Sequence, residues 1–277
     1  MKRSKRSKQS HPEIVGLLPA GGKAARIAPL PCSKEVYPLG FRHVDASGNL
    51  RPKVVCHYLL EKMRLAGTTK AYIILRKGKW DIPAYFGDGK MADMHLAYLM
   101  MNVPFGVPYT LDQAYPFIQD ATVVFGFPDI IFQTDDAFLQ LLSRQAESYA
   151  DLVLGLFPAH QPHNVDMVDL DANGRVRGIH IKPARTHLRY TWTIAVWTSR
   201  FTRFMHEYVD AIQRTNDDRN LVGTDANKQQ ELFVGDVIQA AIHNDMRIDT
   251  VLFADGTFLD VGTPEDMVKA VQMTIGE

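Results

Sequence analysis

At 277 residues and 46% hydrophobic, the chain can bury a large core, and its length suits one sizeable α/β domain. Its 31 Lys and Arg balance 31 Asp and Glu, which excludes a global positive field for nucleic acid and confines any anion site to a local patch. Two cysteines, Cys32 and Cys56, form no disulfide framework and fit a reducing cytosol, so the expected location is cytoplasmic and the expected partners are small molecules.

The opening "MKRSKRSKQSH" is basic and polar with no apolar core behind it for a signal peptide, so residues 1–12 are expected to be a disordered tail ahead of a single domain over 13–277. No 18-residue apolar run is present, and no membrane partner is expected. "IVGLL" at 14–18 is the first strand. "VVCHYLLEKMRLAG" at 54–67 has helical spacing through Val55, Leu59, Leu60, Met63 and Ala66 and closes on Gly67. The strand "AYIIL" follows, then a helix-like "MADMHLAYLMMN", a strand "TVVFGF" at 122–127, a helix over roughly 135–148 and a strand "DLVLGLF" at 151–157. This alternation predicts mostly parallel strands joined by crossover helices.

The rhythm then changes. "VDMVDLDANGRVRGIHIKP" reads as two alternating strands around Asn173-Gly174, a hairpin appended to the parallel sheet. Helices are expected around "RFTRFMHEYVDAI" and "ELFVGDVIQAAIHN", with the polar stretch at 214–230 between them as a surface loop. A strand "IDTVLF" and a turn at Asp255-Gly256 lead to "FLDVGTPEDMVKAV", where Thr263 can cap a helix, Pro264 suits its first turn, and Glu265 and Asp266 suit its positive end. The aromatics of "YTWTIAVW" read as core, and "LRKGKW" at 75–80 as a solvated loop.

Four stretches carry chemistry. In "LLPAGGKAARIAPLPCSKEVYPLG" a buried strand runs into Gly21-Gly22, which puts bare backbone amides at the carboxyl edge of a sheet, where open α/β folds bind ligands. Arg26 and Lys34 bring positive charge to the same loop, as a run of phosphate oxygens requires; the plainer reading is a flexible loop with two solvated bases. No G-K-[ST] follows, so this is not a Walker loop. Asp129 in "FGFPDIIF" and Asp260 in "FLDVGTPED" each follow a strand, and two carboxylates on one edge suit Mg2+, although each alone could be a turn former or a cap. Lys182 in "IHIKPAR" ends the hairpin and would meet a second anion, or simply end a strand in solvent.

Together the order AGG-x-x-x-R, S-K-E-x-x-P, G-x-P-D-x-x-F, K-P and D-x-G-T-P-E-D resembles the sugar-1-phosphate nucleotidylyltransferases, nearest the glucose-1-phosphate thymidylyltransferase and uridylyltransferase branch, over about residues 14–275. The resemblance implies a Rossmann-like nucleotidyltransferase core and a reaction that joins a nucleoside triphosphate, dTTP or UTP in the first instance, to a sugar 1-phosphate with release of pyrophosphate. It implies that Ala20, Gly21 and Gly22 hold the nucleotide, that Gln113 reads base and ribose, and that Arg26 grips the β- and γ-phosphates. It further implies that Lys34 contacts the α-phosphate, that Asp129 and Asp260 ligate Mg2+, and that Lys182 meets the sugar's phosphate. A homo-oligomer is left open.

The departures concern the loop and the acceptor pocket. The family's G-T-R is Ala24-Ala25-Arg26 here, and the loop from Arg26 to Lys34 is shorter than in the thymidylyltransferases it resembles. The glutamate that usually precedes K-P is Ile181, which cannot hydrogen-bond through its side chain. Asp166 and Ile194 stand where the family offers small glycines to the sugar, and Thr110 stands near a glycine by the base. A different phosphorylated acceptor therefore fits the sequence as an alternative. So does a nucleotide-binding regulator without turnover, and so does a glycosyltransferase with a similar core, for which "TDDAF" at 134–138 would be the metal motif rather than a helix start.

Overall fold

The computed structural model describes residues 12–44, 47–101, 105–221 and 231–274. In chain order the elements are β1 (Ile14–Ala20), β2 (Pro38–His43), β3 (Leu50–Val54), α1 (Val55–Leu65), β4 (Lys70–Leu75), α2 (Asp81–Phe86), β5 (His95–Met100), α3 (Val107–Asp112), α4 (Tyr115–Ile118), β6 (Thr122–Gly126) and β7 (Ile130–Phe132). There follow α5 (Ala137–Ser148), β8 (Leu152–Pro158), β9 (Met167–Leu170), β10 (Val176–His180), β11 (Tyr190–Trp197), α6 (Ser199–Leu221), α7 (Val234–His243), β12 (Ile248–Leu252), β13 (Phe258–Asp260) and α8 (Pro264–Thr274). Residues 1–11 lie outside the described residues, and so do most of the expected basic tail and positions 222–230 of the expected polar loop.

The main sheet is mixed. β1 lies between β4 and β6, parallel to both, and β5 extends the same parallel set beyond β4. β8 and β12 form a second parallel pair. β11 joins the two sets, antiparallel to β6 on one edge and to β8 on the other. The expected hairpin is present as β9 and β10, with Gly174 at φ +77 in its turn, and it adds to β11 through Tyr190↔Val168 and Thr191↔Met167. Because β8 takes one whole edge of β11, β6 and β9 share the other edge end to end. Gly126 of β6 pairs with Ile194 and Met167 of β9 with Thr191, so a gap opens at Trp192 and Thr193 between the exit of β6 and the entry of β9.

Strand alternation feeds two cores. Val15 and Leu17 of β1 pack with α3, α6 and α7 side chains such as Leu111, Phe201 and Val237. Leu18 and Ala20 face the other way, onto Leu59, Leu60 and Met63 of α1 and Phe138 of α5. Gly16 on that face has no room for a side chain, since a Cβ there would lie 2.8 Å from the Cβ of Ala71. A third, smaller cluster of Leu39, Val55, Tyr58, Ile131, Val261 and Ala270 joins the β2–β3 and β7–β13 pairs to α8.

Several local expectations are corrected. "MADMHLAYLMMN" is a short 3-10 turn at Lys90–Ala92 followed by β5. Asp93 sits at φ +51 and breaks any helix there, and Leu96 and Tyr98 then face one core while Leu99 and Met101 face the other, a period of two set by pairing along β4. The polar stretch from 214 continues as helix to Leu221. "YTWTIAVW" is core as expected, and it forms β11, the strand that joins the two parallel sets. In "TDDAF" Thr134 sits at φ +93 outside the helix, Asp135 pairs with Lys62, and Asp136 occupies the N-cap without a side-chain cap bond. Thr263 does cap α8, accepting the Asp266 backbone N–H at 3.2 Å.

Candidate active site

The chain order β1, β4, β5 on one side and β6 on the other makes the carboxyl ends of β1 and β6 a topological switch point, where a crevice forms. Beyond β1 come Gly21 and Gly22, and beyond β6 comes Asp129. The two glycines differ. A Cβ on Gly21 would lie 2.6 Å from Met101 Sδ and would displace the end of that flexible side chain, whereas a Cβ on Gly22 would meet nothing within 4 Å. Gly22 therefore keeps bare backbone toward open space for no packing reason. The turn that follows is held by Ile27 and Ala28 N–H groups donating to Ala24 O at 3.1 Å each, with Ala24 at φ +52 in the left-handed region that favours glycine.

Asp129 and Asp260 become neighbours through the antiparallel β7–β13 pair, in which Asp260 sits opposite Ile130 and Val261 N–H donates to Asp129 O at 2.9 Å. Lys34 points into the same place and forms an ion pair with the Asp129 carboxylate, its side chain only 10% exposed. Burial works against its charge, but Asp129, Asp260 and Glu35 outweigh it, so the ammonium titrates above the usual lysine range. Arg26 reaches Asp260 Oδ2 at 3.7 Å from the exposed side, and Gly262 leaves room for it: a Cβ there would lie 2.7 Å from Arg26 Nη2. Four of the expected site residues thus converge.

Asp260 presents an unmet carboxylate oxygen. Its Oδ1 is sealed from solvent and has no hydrogen-bond partner, and burial together with the Asp129 charge pushes its carboxyl above the usual range against Lys34 and Arg26. Two facing carboxylates, one with an unpartnered oxygen, fit a divalent cation that also takes substrate phosphate oxygens. Among the described residues no group of three or more His, Cys, Asp or Glu side chains forms a complete protein cage.

Lys34 is clamped on both sides by contacts that sequence reasoning missed. Ser33 donates through N–H to Asp81 Oδ2 at 2.5 Å and through its hydroxyl to Asp81 Oδ1 at 2.8 Å. Glu35, buried, accepts from Lys79 Nζ at 2.5 Å. "LRKGKW" is thus no solvated loop at Lys79, whose side chain is 10% exposed. The available signal was the basic run Arg76, Lys77 and Lys79 just beyond a buried strand, together with a Glu next to Lys34 that needs a cation.

Lys182 and Gln113 stand apart from this cluster. Gln113 closes α3 and its amide reaches Tyr109 O at 3.4 Å; Thr110 of the same helix has its methyl 3.8 Å from the Gly21 Cβ position. Lys182, at φ +39, follows β10 and lays its ammonium 4.4 Å from the Phe233 ring centroid. Asp166, one residue before β9, is close enough for its charge to be stabilised by Lys182, but burial dominates and raises its carboxyl to about 6.

Residues 15–276 match the family model described as Nucleotidyl transferase. A glucose-1-phosphate thymidylyltransferase of Streptomyces griseus is 23% identical over 266 residues; the match covers 95% of this chain, which spans 66% of that protein's length. Among solved structures, a Bacillus anthracis protein described as a glucose-1-phosphate thymidylyltransferase, in complex with sucrose, superposes with TM-score 0.75 at 17% identity over 94% of each chain. A UDP-glucose pyrophosphorylase complexed with UDP-glucose gives TM-score 0.72 at 14% identity, covering 94% of this chain and 98% of that one. An inositol-1-phosphate CTP transferase from T. maritima gives 0.69 at 14% identity, covering 96% and 98%.

Proposed function

The chain belongs to the nucleotidyl transferase family, and from that premise we propose that it joins a nucleoside triphosphate to a sugar 1-phosphate and releases pyrophosphate. The observation that carries this reading is the convergence of Arg26, Lys34, Asp129 and Asp260 at the carboxyl ends of β1 and β6, beside the open backbone of Gly22. dTTP and UTP are the favoured nucleotides, because the relatives named above are a thymidylyltransferase and a UDP-glucose pyrophosphorylase. A non-sugar phosphorylated acceptor is the second reading, favoured by the fold it shares with an inositol-1-phosphate transferase and by Ile181 at the acceptor side.

The reaction needs no general base, since a phosphate monoester with a second pKa near ~6 already carries an ionised oxygen at neutral pH. That oxygen forms a bond to the α-phosphorus as the bond to the β-phosphate bridge breaks. The task of the protein is to bring two polyanions in line and to neutralise charge. Backbone at Ala20, Gly21 and Gly22, with Gln113 nearby, would cradle the nucleotide. Arg26 would hold the β- and γ-phosphates as they leave. Lys34, kept charged and fixed by its flanking clamps, would donate to the α-phosphate, and Lys182 would meet the acceptor phosphate. Asp129 and Asp260 would hold Mg2+, which when bound supplies further neutralisation of the triphosphate.

The testing experiment is pyrophosphate release with Mg2+, each common nucleoside triphosphate and a panel of sugar 1-phosphates. Release with dTTP or UTP and one sugar phosphate supports the reading; release only with a non-sugar phosphate moves the assignment to the second one.

A further inference from the structure

The gap along β11 holds a group of polar atoms that the reaction above does not use. Extending the β9–β10 register by one step sets Asp166 directly opposite Ile181, and extending β9 along β11 sets it beside Trp192. The chain leaving β6 toward Asp129 ends at the other side of this gap, so Asp166 borders the same crevice.

Asp166 Oδ1 is sealed and has no hydrogen-bond partner, and the nearby Trp192 Nε1 and Thr193 Oγ1 share that condition. The other oxygen is wedged over α7: a Cβ on Gly235 would lie 2.7 Å from Asp166 Oδ2, 3.0 Å from Ile179 and 3.2 Å from Ile181. A carboxylate set among isoleucines costs stability unless a cation or donor meets it; the backbone N–H of Lys182 donates to this one, but its Oδ1 is left unmet. The nearest cation is the exposed Lys182, whose ammonium rests on the face of Phe233 rather than in an ion pair with Asp166. The second carboxylate here, Asp236, already accepts from Phe233 N–H at 2.8 Å and adds to the negative field.

An aromatic face beside a carboxylate is a cation site, and Lys182 fills it from the protein's own chain. When Lys182 turns to an acceptor phosphate, the face of Phe233 and the carboxylate of Asp166 both lose their cation. We propose that Asp166 is a specificity-determining residue which, with Phe233, selects an acceptor phosphate carrying an amino or ammonium group. That group takes the place Lys182 leaves, so the acceptor's two charges are read by Lys182 and Asp166 together. A neutral hexose 1-phosphate leaves Asp166 stranded and is bound less well. The inference rests on the proposed transfer reaction for the role of Lys182.

The test is isothermal titration of the full chain, with Mg2+ and a non-hydrolysable dTTP or UTP analogue, against glucosamine 1-phosphate, phosphocholine and glucose 1-phosphate, with pyrophosphate release measured in parallel. The expected result is that one of the two cationic phosphates binds at least about tenfold more tightly than glucose 1-phosphate. Asp166→Asn should reduce that preference to within about twofold while triphosphate affinity is unchanged, and Phe233→Leu, should Asp166→Asn misfold, should reduce it in part. Equal or better binding of glucose 1-phosphate by the wild type overturns the inference, as does an unchanged preference in Asp166→Asn. Asp166-dependent binding of a cationic phosphate without pyrophosphate release keeps the inference and removes the transfer reaction. Efficient release with glucose 1-phosphate and none with the cationic pair keeps the reaction and removes the inference.

Discussion

Lys34 and Asp129 lie 95 positions apart in sequence and meet as a buried ion pair, one from the turn after β1 and the other from the exit of β6. A lysine used only for packing would not be placed between two carboxylates and flanked by two independent clamps. In the proposed reaction, replacing it removes one preorganised charge at the α-phosphate. Lys34→Ala is expected to lower pyrophosphate-releasing turnover by about two to three powers of ten, with a smaller change in the KM for the triphosphate, measured by steady-state kinetics.

The clamp itself is testable through stability. Lys79→Met leaves the Glu35 carboxylate buried without its cation, and losing one partner of a buried pair costs about 3–5 kcal/mol. Urea unfolding should show that loss, and adding Glu35→Gln should restore most of it, because the stranded charge is then gone.

The two glycines of the nucleotide loop should separate. Gly21→Ala requires only the flexible end of Met101 to shift and is expected to lower Tm modestly, by about 2–4 °C. Gly22→Ala meets no neighbour, so Tm should stay within about 2 °C of wild type, while the triphosphate KM rises because a methyl group now lies where phosphate would approach. An unchanged KM in Gly22→Ala would remove that glycine from the binding surface.

Asp166 predicts a pH dependence. Its carboxyl, raised to about 6 by burial, is protonated in the fold at pH values where it is ionised in the unfolded chain. Between roughly pH 4 and 6 the folded state therefore binds more protons, and stability falls as pH rises. Asp166→Asn should match wild type near pH 4 and exceed it by about 1–3 kcal/mol at pH 7.5, by chemical denaturation at both values. Equal stability at the two values would contradict the burial of this group.

The parallel strands, the hairpin at Asn173-Gly174 and the cap at Thr263 were legible because each depends on local pattern: β-branched runs, a turn pair, a cap followed by Pro. β5 was not, because its alternation is paired with apolar residues on both faces and matches a helix equally well until β4 lies beside it. The sequence marks β11 as core but not as the strand that joins two parallel sets, since pairing partners distant in sequence decide that. Individually, Arg26, Lys34, Asp129 and Asp260 were visible as residues after strands. Their convergence depends on the β7–β13 pairing, a contact between segments some 130 positions apart that no window of sequence reports. Lys79 looks solvated in sequence for the same reason: its partner Glu35 lies 44 residues earlier.

We propose nucleotidyl transfer at the Asp129 and Asp260 pair, with Lys34 and Arg26. Its most direct test is pyrophosphate release under Mg2+ by the wild type, Asp129→Asn and Asp260→Asn, with dTTP or UTP and a panel of phosphorylated acceptors that includes cationic ones. The wild type should release pyrophosphate with at least one acceptor, and either variant should release it at least about a hundredfold more slowly while remaining folded by circular dichroism. No release from folded wild-type protein across the panel, or full release by either variant, would contradict it.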